Sequence, residues 1–130
     1  MLFKYGTGYL SSRGYGQIVE QYACQYLRSR GLRLLARNFV CRCGEIDLIM
    51  QDKESCVVFT EVRFRASRQF GTALESVDAH KIERIRKASS IFLLQQRELQ
   101  NAATRFDVIA YNHKPTRQFN KPIWIRNAFS

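Results

Sequence analysis

Residues 44–65 read GEIDLIMQDKESCVVFTEVRFR. Two apolar stretches flank the turn-forming run QDKES, a pattern that predicts a β-hairpin. Side chains alternate faces along an extended strand. On the first strand Glu45, Asp47 and Ile49 then share one side, and Ile46, Leu48 and Met50 the other. On the second, Phe59, Glu61, Arg63 and Arg65 share one face, and Val58, Thr60, Val62 and Phe64 the opposite one. Glu61 and Arg63 therefore point the same way. A register with Asp47 across from Phe59 or Glu61 makes the two carboxylates direct or diagonal neighbours, with β carbons about 4.5 to 8 Å apart. Acids that close oppose each other's ionisation, and a hard, oxygen-preferring cation such as Mg²⁺ removes the penalty. Spacing alone fits equally well with ordinary strand charges paired to Arg63 or Arg65.

Upstream, Ile18, Val19, Tyr22, Ala23, Tyr26 and Leu27 recur at three- and four-residue spacings. They predict a helix over residues 16–30, stopped by Gly31 and preceded by a flexible N-terminal arm over residues 1–15. Its aromatics Tyr5, Tyr9 and Tyr15 are candidate partner contacts. LRLLARNFVC (residues 32–41) predicts a further strand. Downstream, Asp78 is a candidate N-cap for a helix over residues 78–98, with Ile82, Ile85, Ser89, Phe92 and Leu93 facing inward. His80, Lys81, Arg84 and Lys87 then form a basic outer flank. RFDVIAY and PIWIR, joined by the polar run NHKPTRQFNK, add two strands. The element order predicts an α/β fold, a mixed central sheet of about five strands flanked by helices. With 130 residues in all, one domain over residues 16–130 is expected, because two would each lack material for a core.

Lys and Arg total 21 against 11 Asp and Glu, a net charge of +10, with a pI near 9.9. Such an excess favours a polyanionic partner, nucleic acid first, although it also serves solubility. The longest apolar runs, such as residues 91–94, are too short to cross a bilayer. The N-terminal stretch lacks the continuous apolar segment of a secretory signal, so a cytoplasmic protein without a membrane partner is expected. Cys24, Cys41, Cys43 and Cys56 lack paired C-x-x-C spacing and read as free thiols rather than a zinc site. The two histidines, His80 and His113, are far apart. No Ser or Cys has a base at motif spacing, and no glycine-rich loop precedes a helix, which argues against covalent and nucleotide-driven chemistry.

GEIDLI followed at this distance by FTEVR resembles the nucleases of the restriction-endonuclease-like superfamily, whose motif is Asp, a variable gap, then Glu-x-Lys on adjacent strands. More narrowly, the chain looks like the YraN-like bacterial family, similar in core to archaeal Holliday junction resolvases. The likeness extends over Gly16, Glu20 and Ala23, Tyr26-Leu27 and Gly31, Asn38, Phe70-Gly71, Lys81, Arg105-Phe106-Asp107-Val108 and Asn127-Ala128-Phe129. It implies a restriction-endonuclease-like core and a Mg²⁺- or Mn²⁺-dependent endonuclease acting on DNA, with branched or structured targets among the candidates. It further implies that Glu20, Asp47 and Glu61 are the metal ligands and, with Arg63, the catalytic group. Arg63 occupies the motif's Lys position. Unlike Lys it stays protonated, so it is suited to phosphate charge rather than to acting as a base. Arg65, Arg68, Lys81, Arg84 and Lys87 are candidates for following a phosphate backbone. Resolvase-like action needs two sites, hence a homodimer. The alternative is a non-catalytic nucleic-acid-binding protein with a degenerate nuclease site. Asp107, between Phe106 and Val108, is expected to be structural.

Overall fold

The computed structural model describes residues 9–65 and 76–130, with side chains from Tyr15 onward. The elements are α1 (Tyr9–Ser29), β1 (Arg33–Cys41), β2 (Gly44–Gln51), β3 (Val57–Phe64), α2 (Ala79–Leu94), a 3₁₀ turn (Arg97–Leu99), β4 (Thr104–Tyr111) and β5 (Ile123–Phe129). The strands form one sheet in the order β1-β2-β3-β4-β5. All neighbours are antiparallel except β3 and β4, which run parallel. A parallel pair requires a crossover, and α2 with the 3₁₀ turn lies in that connection. The expected mixed α/β sheet with flanking helices is what the chain forms.

Each helix covers one face. Val19, Ala23, Cys24 and Leu27 of α1 pack with Leu48, Met50, Val58, Val62, Phe64, Ile109 and Tyr111. On the other side Ile85, Ala88 and Phe92 of α2 pack with Ile46, Ile49, Val57 and Phe59. Strand β3 feeds both layers alternately and is buried along its whole length, as a central strand with covered faces must be.

Three features depart from the sequence reading. Helix α1 starts at Tyr9, so residues 9–15 belong to it rather than to a loose arm. Gly14 and Gly16 weaken helix propensity there by about 1 kcal/mol each. The helix continues across them because tertiary packing outweighs propensity. Tyr15 sets its ring edge-on to Phe64 with centroids 5.0 Å apart, which removes it from the candidate partner contacts. The side chains of Tyr5 and Tyr9 lie outside the described residues. Helix α2 ends at Leu94, with its chain continuing into the 3₁₀ turn. At its start Asp78 caps as expected, its carboxylate accepting the Lys81 N–H.

The third departure concerns the strand faces. Ile46 packs with Ile49 on the α2 side, not with Leu48 and Met50, so simple alternation fails between residues 46 and 49. On β1, Ala36 and Phe39 likewise both pack on the α2 side. The register aligns the two breaks: Arg37 pairs with Leu48 and Phe39 with Ile46, which sets Asn38 across from Asp47. Asn38 is left-handed, with φ at 50°, a conformation that asparagine tolerates better than most residues. The reversals on the two strands thus meet at Asn38 and Asp47, while the register shift of β1 lies upstream, between Leu34 and Ala36.

Gly44, at the entrance to β2, lies under α2. A Cβ built there would approach the Arg84 carbonyl oxygen to 2.6 Å. Main chain cannot swing away as a side chain can, so Gly44→Ala is expected to destabilise the protein by about 1–3 kcal/mol. Urea denaturation measures it, and an unchanged midpoint would contradict the close approach.

The turn between β2 and β3 is tied down by Asp52. Its Oδ1 accepts the N–H groups of Glu54 and Cys56, and its Oδ2 pairs with Arg105 Nη1 at 3.0 Å. Burial works to raise the Asp52 pKa, but those two N–H groups and the guanidinium outweigh it and hold it below the ordinary carboxylate value. A depressed folded-state pKa contributes stability above the unfolded value, near pH 4, that is lost as pH falls through the folded one. Asp52→Asn should therefore lower the unfolding midpoint at pH 7, with the gap to wild type closing as pH drops below about 4. A gap independent of pH would refute this linkage.

Candidate functional site

The hydrogen-bonded ladder between β2 and β3 runs from Gln51↔Val57 to Leu48↔Thr60 and stops. One step further the same register would set Asp47 across from Glu61. There Asp47 replaces the ladder with its side chain, its Oδ2 accepting the Val62 N–H at 2.8 Å. The carboxylate thus meets β3 at the residue next to Glu61. Both acids are sealed from water, Asp47 being 1% and Glu61 2% exposed. Ordinary surface charges are nowhere near so buried, so the reading of these acids as strand-surface charges fails.

Cations gather at Glu61. Arg63 Nε lies 3.1 Å from Glu61 Oε2, with both side chains almost fully buried, as the two-residue spacing requires. Lys81 Nζ lies 4.0 Å from the same oxygen. Lys81 is placed there by the Asp78 cap, which starts α2 so that its first turn faces the C-terminal half of β3. The sequence reading put Lys81 on an outer flank. The structure corrects this, because its side chain is directed to the acid and only 23% exposed.

Glu20 is 5% exposed and lies on α1, on the other face of the sheet from α2. Tyr15, just over one turn earlier in the helix, sits on Phe64, so this part of α1 lies over the C-terminal end of β3. Among the described residues no group of three or more His, Cys, Asp or Glu side chains forms a ready metal cage. The site's nucleus is Asp47, Glu61, Arg63 and Lys81. Arg84 and Lys87 are exposed along α2 and Arg65 is half-buried after β3. Arg65 donates from Nη1 to the Phe64 carbonyl. Arg68 lies outside the described residues, as do Phe70 and Gly71.

Asp107 is a buried acid of another kind. Its oxygens accept Arg105 Nε at 3.1 and 3.2 Å, Trp124 Nε1 at 2.9 Å and the Asn127 N–H at 2.9 Å. The β4–β5 register shifts here, and Asn127 is left-handed with φ at 53°. The carboxylate stitches a sheet irregularity, which is the structural role expected of it. Through Arg105 it also reaches Asp52.

Fold and site together define a basic α/β protein with a buried acid–guanidinium–ammonium cluster where two central strands part. The chain belongs to the family described as "Uncharacterised protein family UPF0102", whose profile matches residues 19–111. A UPF0102 protein of Nitrosococcus oceani is 44% identical over 117 residues, 90% of this chain and 92% of that one. One of Pseudomonas putida is 44% identical over 115 residues, 88% and 91% of the two chains. One of Pseudomonas aeruginosa is 42% identical over 119 residues, 92% and 94% of them. Among the described residues no helix is long and apolar enough to cross a membrane.

Proposed function

We propose that this protein is a Mg²⁺- or Mn²⁺-dependent endonuclease of the restriction-endonuclease-like type, acting on DNA in the cytoplasm. The observation that carries the reading is that two buried carboxylates, Asp47 and Glu61, stand on neighbouring strands at the point where the β2–β3 ladder stops. Burial of two acids side by side is costly unless cations compensate. The donor set suits a hard ion, since Mg²⁺ typically takes one or two protein carboxylates and completes its shell with water and substrate phosphate. A three-residue cage is therefore not required. When bound, such an ion polarises a phosphoryl oxygen and lowers the pKa of its water.

The chain's own groups then divide the work. Asp47, anchored by the Val62 N–H, and Glu61 present oxygens. Glu20 approaches from the α1 side, where the β2–β3 ladder is interrupted. Arg63 compensates Glu61 in the resting protein and offers phosphate a planar fork of donors. Lys81 brings an ammonium from α2 to Glu61, and so takes over the place of the motif's Lys. The net charge of +10 and the exposed Arg84 and Lys87 draw the polyanion in.

The test is a cleavage panel of branched, single-stranded and duplex DNA with Mg²⁺, Mn²⁺ or chelator. Metal-dependent scission of at least one substrate is expected. The Arg63–Glu61 ion pair favours a second reading, a non-catalytic DNA-binding protein whose acid is neutralised from within. Salt-dependent DNA binding without scission of any substrate would establish that reading instead, and absence of binding would exclude both.

A further inference from the structure

A second group of reactive side chains lies in the turn that leads into β2. Cys41 ends β1 and pairs with Gly44 at the start of β2, leaving Arg42 and Cys43 as a two-residue turn. That tight turn brings Cys41 Sγ to within 2.8 Å of Cys43 Sγ. Two unbonded sulfurs normally stay much further apart, while a disulfide bond measures about 2.05 Å. Only a small further movement separates this contact from a covalent bond. Both residues are half-buried, whereas Cys24 of α1 is enclosed in the core.

The surroundings make the pair unequal. The hydrogen bond from Cys43 lowers the Cys41 pKa against the opposing effect of burial, helped by the N–H groups of Cys43 and Gly44 and by the Arg84 charge. The same contact raises Cys43. Burial raises both Cys24 and Cys56. A thiol of lowered pKa in contact with one of raised pKa is the arrangement of a peroxide-sensitive cysteine with its resolving cysteine.

We propose that Cys41 and Cys43 form a dithiol oxidation site that takes hydroperoxides and closes to an intramolecular disulfide. The Cys41 sulfur attacks one peroxide oxygen, the O–O bond breaks, and a sulfenic acid and one water result. The Cys43 sulfur then attacks the Cys41 sulfur, the S–S bond forms, the S–O bond breaks, and a second water leaves. The two thiols lose two electrons and two protons, and hydrogen peroxide is reduced to two waters. This site stands independently of the phosphodiester reading.

The full chain, reduced and freed of reductant under argon, is treated with one equivalent of hydrogen peroxide, alkylated, and analysed by intact mass and peptide mapping. A loss of two hydrogens confined to the peptide holding Cys41 and Cys43 is expected, with Cys24 and Cys56 lagging by about tenfold or more. Cys43→Ser should stop at a Cys41 sulfenic acid that dimedone traps. Four thiols that stay alkylatable, a bond involving Cys24 or Cys56, or a bond between chains would overturn the proposal. So would zinc carried through purification and lost on Cys41→Ser, which native mass spectrometry detects. The wild-type map decides the matter even if a variant folds poorly.

Discussion

Glu61→Gln is expected to abolish metal-dependent scission, by about a thousandfold or more, while DNA binding survives. The change keeps shape and an acceptor oxygen for Arg63, so it removes chiefly the charge. A thousandfold corresponds to about 4 kcal/mol of transition-state stabilisation, the scale expected when an ion's polarising contact is lost. Asp47→Asn should act alike, because the Val62 N–H still finds an acceptor in the amide oxygen. Cleavage rates measured beside melting midpoints and salt-dependent binding separate chemistry from folding. Full activity in Glu61→Gln would sink the proposed site outright. Lys81→Met tests the division of labour: a large loss in turnover with binding retained supports the ammonium from α2 as the partner of Glu61. A loss confined to affinity would return Lys81 to the phosphate-following flank.

Asp107→Ala should cost the fold more than any other single substitution considered, about 3–5 kcal/mol by chemical denaturation. The carboxylate is fully buried and accepts from a guanidinium, an indole and a main-chain N–H. Removing it leaves three donors aimed at a buried gap, and Arg105 keeps only Asp52. The β4–β5 edge, held at this irregularity by the same carboxylate, should also exchange its amide protons faster. A cost under about 1 kcal/mol would mean that water replaces the acid, contrary to its enclosure. The prediction is independent of any enzymatic role, so it separates Asp107, which holds a sheet together, from the buried acids of the proposed site.

Much of this was legible in advance. Alternating apolar residues marked β3, and the two-residue spacing of Glu61 and Arg63 forced them onto one face whatever the register. Asp78 read as a cap because a short acceptor before an apolar helical stripe has few other uses. The extent of α1 was hidden because Gly14 and Gly16 argue locally against a helix that Tyr15 secures by packing on Phe64. Ile46 was misplaced because alternation was extended through a position where the chain reverses it. Lys81 was set on the outer flank because helical periodicity describes a helix's own faces, not the strand its first turn opposes.

The primary structure on its own determined which side chains lie two apart on an extended chain, hence the Glu61–Arg63 pair, along with the net positive charge and the order of elements. Those depend only on neighbours along the chain. Folding alone decided that Asp47 reaches the Val62 amide, that a left-handed Asn38 stands across from it, and that α2 delivers Lys81 to Glu61. Each of these depends on the register of strands and on where a crossover helix lands, quantities set by the packing of both sheet faces at once and recorded in no short stretch of residues.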